Sequence, residues 1–315
     1  MGKTILLTGG AGFIGSHIAE ELLIKNYSVR ILDNFSTGSK TNLKSFINDV
    51  QLIEGDIRNF NTVSHAVKGA DIIVHQAALP SVPRSIKDPI TSNEVNINGT
   101  LNLLWASVDA KVEKFLFASS SSIYGNSVEL IKHEKICPNP LSPYAATKLA
   151  GENYCRVFSQ TYGFQTICLR YFNVFGPRQD PDSQYSAVIP KFIKLISENK
   201  QPTIFGDGLQ SRDFTYVKNV VKANLLSIEN ASENNLIMNC ACNMKISLNE
   251  LVKEINRNLD KNIEPLYAKE REGDIKHSYA DISLAKKMIN YEPEIYFSEG
   301  LKKTIERFSP KKDER

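Results

Sequence analysis

Tyr144 and Lys148 stand four residues apart in the run Ser142-Pro143-Tyr144-Ala145-Ala146-Thr147-Lys148. Pro143 in a first turn, with Ser142 before it, starts a helix expected to run to about residue 162. On a helix that spacing puts both side chains on one face. A phenol ionises near ~10 on its own, and an adjacent ammonium with an oxidised nicotinamide ring favours the phenolate. Such a tyrosine can take a hydroxyl proton as hydride leaves the same carbon, while the lysine can also hold a nicotinamide ribose. A serine bonding the reacting oxygen would complete the set, and Ser119-Ser120-Ser121-Ser122 follows a strand expected at 114–118. Alone, Tyr-x-x-x-Lys is common on surface helices, so its weight depends on what else the chain brings to it.

The chain brings a dinucleotide cradle. A short apolar run, Thr4 to Thr8, leads into Gly9-Gly10-Ala11-Gly12-Phe13-Ile14-Gly15 and a helical stripe over 13–25. Gly9 allows the tight turn, Gly12 a close approach to a diphosphate, and Gly15 close packing of helix on strand. The diphosphate would sit at the helix N-terminus. A second apolar run ends in Asp33, placed to hold the adenosine ribose hydroxyls, and an acid there favours NAD over NADP. Asn34, Ser36, Thr37 and Gly38 begin a turn over the adenine side. Asp56 follows the third strand, where it could accept from the adenine amino group or cap the helix at 59–67. The buried-strand pattern at 70–75 opens into Gln76-Ala77-Ala78, small enough for a cofactor to lie flat. Then come a basic, proline-bounded loop at 82–89 containing Arg84, a long helix at 90–106, and the serine-ended strand. Alternating strands and helices predict an α/β, Rossmann-type doubly wound parallel sheet whose strand ends share one rim.

Composition is that of an ordinary globular chain: 315 residues, 42% hydrophobic, 23% charged, net charge +3. Near-neutral charge points to neither nucleic acid nor a membrane surface. No apolar run approaches the ~20 residues of a membrane span, and the first apolar stretch passes straight into the glycine turn, unlike a signal peptide. The five cysteines are scattered, with Cys240 and Cys242 too close for usual metal spacing. They read as small buried hydrophobes of a reducing, cytoplasmic protein with no metal.

With these motifs in place, the chain resembles the extended short-chain dehydrogenase/reductases over nearly its whole length. Within them it resembles the UDP-glucose 4-epimerase family, and bacterial UDP-N-acetylglucosamine 4-epimerases in particular. The segments that carry the likeness are His75 to Ile86, Arg170 to Pro181 and Arg271 to Ser278. The resemblance implies catalytic Ser120, Tyr144 and Lys148. It implies NAD contacts at Phe13, Ile14, Asp33, Asp56, Ile57, Asn96 and Phe172. Substrate contacts are implied at Arg84, Ser121, Ser122, Asn173, Ala187, Val188, Phe205, Arg212, Arg271, Asp274 and Ser278. Arginines suit a diphosphate, since a guanidinium bonds it through paired donors.

The same scaffold serves dehydratases, whose members carry Asp-Glu after the catalytic residue, and decarboxylases with a glutamate there. Ser121 and Ser122 occupy those positions, which favours plain 4-epimerisation through a 4-keto sugar. Ser278 and Ala187 are small where some relatives are bulkier, leaving room for a 2-acetamido group. Pro80, in place of glycine or lysine, departs from the family pattern. The expected activity is UDP-GlcNAc/UDP-GalNAc interconversion, with UDP-Glc/UDP-Gal alongside, supplying polysaccharide or glycan precursors. The alternatives are a UDP-glucuronate 4-epimerase or decarboxylase and, in another class, a non-catalytic NAD(H)-binding regulator. Residues 1–175 form the expected NAD domain, with 214–240 packing back on it. Residues 176–213 and 241–315 form a UDP-sugar lobe. The family habit of pairing helices 90–106 and 144–162 with a second copy implies a homodimer.

Overall fold

A computed structural model describes residues 2–182, 187–270 and 277–308. Strands Thr4–Thr8 (β1), Ser28–Asp33 (β2), Gln51–Glu54 (β3), Ile72–His75 (β4) and Lys114–Ser120 (β5) lie in one sheet with Gln165–Tyr171 and Leu236–Cys240. From one edge the order is 236–240, 165–171, β5, β4, β1, β2, β3, every neighbouring pair parallel. The chain builds outward from β1 to β3, then returns to the other side of β1 with β4. That reversal opens a crevice at the carboxyl ends of β1 and β4.

Side-chain alternation explains the apolar runs. Ile5, Leu7, Ile31, Val74 and Leu116 face one layer, which contains Phe13–Ile24 (α1) and the helix Val217–Asn230. Leu6, Leu32, Ile73, Phe115 and Phe117 face the other, which contains Phe60–Val67 (α2) and the helices Gly99–Asp109 and Pro143–Tyr162. Both faces are covered, so strands read as continuous hydrophobic stretches. A smaller lobe has its own core, with Phe175, Phe192, Ile204, Phe214, Leu251 and Phe297. Its four-stranded sheet includes Ser211–Arg212 and His277–Ala280, and draws in Ile131–Lys132 from within the first 175 residues.

Several local expectations change. Residues 82–89 are not a plain loop: Val82–Lys87 is a short helix whose N-cap Ser81 accepts from the Arg84 N–H. The long helix at 90–106 is broken. Asp88 caps Pro89–Asn93, a π-turn occupies Glu94–Asn98, and the α-helix resumes at Gly99. The wide turn brings Asn96 inward, where its carbonyl accepts from Thr100 Oγ1 at 2.7 Å. Such π-turns often mark functional positions. In the smaller lobe a helix occupies Val188–Ser197. Asn59, not Asp56, caps α2. Of the cysteines, Cys137 is exposed and the other four buried. No helix among the described residues is long and apolar enough to cross a membrane.

His75 ties the central strands together. Its Nδ1 is 2.7 Å from Thr8 Oγ1 and its Nε2 is 2.9 Å from Thr100 Oγ1. Burial, seconded by the charge of Lys148, pulls its pKa down to about 3. The folded protein therefore refuses a proton that the unfolded chain accepts below about 6.5. Stability from this residue is complete above that value and is lost as pH falls toward 3, by about 1.4 kcal/mol per pH unit. Urea unfolding between pH 7 and 5 should show this slope, and His75→Gln should flatten it by about one proton.

Candidate active site

A cleft of about 1280 Å³ runs along the strand ends and continues between sheet and smaller lobe. Gly9, Gly12, Phe13, Ile14, Gly15, Asp33, Asn34, Ser36, Thr37, Gly38, Asp56, Ile57, Gln76, Ala77 and Ala78 line one half. Gly9 has φ +70°, and a Cβ there would sit 2.6 Å from the Ala77 nitrogen. A Cβ on Gly15 would sit 2.1 Å from the Gly9 carbonyl oxygen. Those two glycines are demanded by the fold. Gly12 is different: its Cβ would meet only the Gly9 oxygen, at 3.2 Å, so its bareness serves the cleft more than the packing. Asp33 is buried at the end of β2, where its carboxylate accepts from the Ala11 and Phe35 N–H groups at 2.9 and 2.8 Å. Burial pushes its pKa up, against those two bonds. Asp56 accepts from Arg58 at 2.8 Å and Asn34 at 2.9 Å, and the Arg58 guanidinium first among the causes holds its pKa at about 2. Lys40 is likewise matched, by Glu54.

The catalytic candidates meet in the middle. Ser120 ends β5, its Oγ accepting from the Ser122 N–H at 3.2 Å. Tyr144 and Lys148 come from the first turns of Pro143–Tyr162, which Ser142 caps. The helix lies close to the sheet, since a Cβ on Gly151 would stand 2.3 Å from the Phe117 ring. Lys148 Nζ donates to the Ala118 carbonyl at 2.8 Å and lies 5.9 Å from the Tyr144 ring centre. The expected lowering of Tyr144 by its lysine is not what the resting site shows. Burial raises the Tyr144 pKa, and only a hydrogen bond with Ser120 opposes it. Burial also lowers Lys148 to about 8. Lys148 donates to the Ala118 carbonyl and is not among the groups that shift Tyr144.

Arg84, Ser121, Ser122, Asn173, Ala187, Arg212 and Ser278 line the other half. Asp213 organises this wall. Its carboxylate accepts from the Cys242, Ala280 and Met244 N–H groups at 3.0, 3.2 and 3.3 Å. Its carbonyl accepts from the Asn173 amide at 3.1 Å, and its own N–H donates to the Ser278 carbonyl at 2.9 Å.

Four candidates do not reach the cleft wall. Asn96 is buried behind it, its amide spent on both backbone groups of Leu79 and on Thr147 Oγ1. Phe172 is enclosed in a small core with Ile123 and Tyr124. Val188 begins a helix that packs on the core of the smaller lobe, and Phe205 lies in a two-stranded sheet with Leu266–Ala268. Arg271 and Asp274 lie outside the described residues. Wall residues that the sequence did not single out include Tyr171, Gln179 and Asp180. The latter two follow the Gly-Pro-Arg turn at 176–178, a signal that a lining loop was there. Ser85 was missed too: its Oγ accepts the Tyr144 N–H at 3.0 Å.

The profile of the NAD dependent epimerase/dehydratase family matches residues 5–241. The chain belongs to this family. Its fold superposes with a TM-score of 0.93 on the UDP-N-acetylglucosamine 4-epimerase of Methanobrevibacter ruminantium M1, solved with UDP-N-acetylmuramic acid, at 42% identity over 98% of both chains. A UDP-glucose 4-epimerase of Thermotoga maritima, solved with UDP-glucose, gives 0.92 at 36% identity, covering 97% of this chain and 98% of that one. A UDP-glucuronate 4-epimerase of Thermodesulfobacterium geofontis is 36% identical over 95% of this chain and 94% of its own.

The cofactor of this NAD-dependent family member is NAD. The cradle fits it: an open glycine at a helix start, an acid with free lone pairs at the second strand end, and an all-small third segment. The contrast between glycines gives a test. Gly12→Ser puts a favoured N-cap residue on α1, so stability should change by only a few tenths of a kcal/mol, about 0.5 at most. NAD affinity, by fluorescence titration, should fall at least about tenfold as the side chain fills the diphosphate approach. Gly15→Ala should instead lower stability itself.

Proposed function

We propose that the chain is a UDP-sugar 4-epimerase that interconverts UDP-GlcNAc and UDP-GalNAc and also accepts UDP-Glc and UDP-Gal. The supporting observation is the convergence of Ser120, Tyr144 and Lys148 on one cleft, flanked by the hydroxyls of Ser121 and Ser122. Elimination of water needs a carboxylic acid beside the serine. The cleft's described acids are Asp33 and Asp56 on the cofactor half and Asp180 on the loop after Phe175. The Ser121 and Ser122 hydroxyls are far weaker acids than a carboxylic acid, so the site suits a reaction that needs one base at one oxygen.

Each residue has a part. Tyr144 takes the proton of the sugar 4-hydroxyl, and Ser120 donates to the same oxygen as it becomes a carbonyl. NAD, when bound, would supply a reversible hydride acceptor for the sugar C4. Lys148 keeps positive charge beside the phenol at neutral pH. Asn173 and Arg212 hold the diphosphate while the keto sugar presents its other face, and Tyr144 then returns the proton. Ser122 lines the cleft and its buried Oγ has no hydrogen-bond partner among the described residues, so a rotation of the side chain would be needed to offer it to an acetamide. Small Ser278 and Ala187 give that group room.

The same reading carries a homodimer, a cytoplasmic setting and a role in glycan-precursor supply. Support for the dimer is the apolar exposure of Ile90, Trp105, Val157 and Tyr162 on the two helical segments.

Incubation with UDP-GlcNAc, UDP-Glc and UDP-GlcA separately, with products resolved by NMR, is the test. The 4-epimers of the first two should form, and conversion of UDP-GlcA alone would overturn the sugar assignment. Tyr144→Phe should still bind NAD and UDP-sugar but lose about 100-fold or more in kcat. Full activity in that variant would overturn the mechanism.

A further inference from the structure

Beneath the cleft lies a buried ion pair that the reaction itself does not use. Glu152 follows Lys148 by one turn on the catalytic helix, on the same face as Tyr144 and Lys148. Arg170 lies on the strand beside β5, paired in register with Ser119. Both charges are almost fully buried. The contact is a two-pronged one, Nε to Oε1 at 2.9 Å and Nη2 to Oε2 at 2.8 Å.

Among the described residues, the other side-chain bonds of the pair go to the serine turn. Ser119 Oγ donates to Glu152 Oε1 at 2.6 Å, immediately before Ser120. Arg170 Nη1 donates to Tyr124 Oη at 2.9 Å, and its guanidinium lies 4.9 Å over that ring. Tyr124 Oη in turn donates to Asn239 Oδ1 at 2.7 Å. Tyr124 closes the turn Ser121–Tyr124. The segment holding Ser120, Ser121 and Ser122 is therefore tied at both ends to one ion pair rooted in the helix that holds Tyr144.

We propose that the Glu152–Arg170 pair is a positioning device that fixes Ser120 and the serine turn against Tyr144. A buried ion pair is a poor source of net stability, since desolvating both charges offsets their attraction. Hydrophobic side chains would fill the space as well. What they lack is direction. Five donors on a planar guanidinium and two carboxylate oxygens fix angles as well as distances. Proton transfer between Tyr144 and a sugar oxygen held by Ser120 depends on such geometry, and a small misplacement there can lower a rate on the order of 100-fold.

The inference rests on the catalytic roles proposed above, so its test includes a readout that needs no sugar. Ultraviolet difference titration of tyrosine, against Tyr144→Phe, isolates the ionisation of Tyr144 in the NAD-bound protein. The double variant Glu152→Leu with Arg170→Met removes both charges and leaves an apolar contact. It should unfold cooperatively, keep its KM for UDP-sugar, and lose kcat by about 100-fold. Its Tyr144 titration should move to higher pH, because the Ser120 hydrogen bond that favours the phenolate is loosened. Ser119→Ala cuts one tie and leaves the pair whole. It should lower kcat on the order of tenfold with the same direction of titration shift, and Ser119→Thr should restore both. If the double variant does not fold, Ser119→Ala decides. Unchanged kcat and unchanged titration in Ser119→Ala overturn the proposal. A titration shift in a protein that turns over no UDP-sugar supports the positioning role and overturns the epimerase reading instead.

Discussion

All seven strands of the large sheet point the same way, and that constraint arranges the rest of the molecule. A parallel sheet has one carboxyl rim, so every strand-to-helix turn empties onto the same edge. Residues as far apart as Gly9, Ser120 and Tyr171 become neighbours without any special device. Helices cover both faces, so strand interiors must be apolar. Polar groups can appear only at strand ends or in fully bonded pairs. Thr8, His75 and Ser120 obey the first condition at the ends of β1, β4 and β5, and Arg170 with Glu152 obeys the second.

The catalytic helix crosses this rim near the middle and comes very close to it. Gly151 lets its backbone settle on the Phe117 ring, and Lys148 is thereby driven into the same dry layer, 5.0 Å from that ring. Burial then acts on both catalytic groups against their charged forms. Near neutral pH the resting pair is a phenol and an ammonium, because Tyr144 is raised and Lys148 remains mostly protonated below about 8. Burial thus holds the phenol protonated at rest, and an oxidised nicotinamide ring, when bound, would supply positive charge that opposes it. Ser120 is the protein's own contribution in that direction, which makes its placement worth a buried ion pair.

Much of this was legible in the sequence because it is local. The glycine spacing, Asp33 at a strand end, and Tyr144 with Lys148 on one turn are short-range patterns with a fixed geometric meaning. The sheet followed from periodicity. The features that spacing did not reveal have a common origin in tertiary contacts. No spacing rule reveals that Asn96 would be drawn by a π-turn onto the Leu79 backbone, or that Phe172 would turn into a core. Of the two parts the sequence allows Asp56, the cap belongs to Asn59, while Asp56 pairs with Arg58 and lines the cleft. The burial that raises Tyr144 was equally hidden, since burial is a property of the packed helix and not of its sequence.

The roof over the sugar half shows where selectivity can reside. Leu79 is held through Asn96 to Thr147, and Ser85 to Tyr144, so both ends of the segment are fastened to the catalytic helix. Between them Ser81 is held at φ +99°, ψ 122°, a conformation that side chains other than glycine rarely adopt. Such strain persists only where the surroundings over-determine it, and the two fastenings and Pro80, with its fixed φ, do so here. A roof held in this way does not adapt its shape to each sugar. On the proposed function, discrimination between a 2-hydroxyl and a 2-acetamido group falls to volume elsewhere on the wall, at Ser278 and Ala187. Small side chains set an upper size limit and exclude nothing smaller, which is the physical basis of the proposal that one cleft serves both the acetamido pair and the plain hexoses.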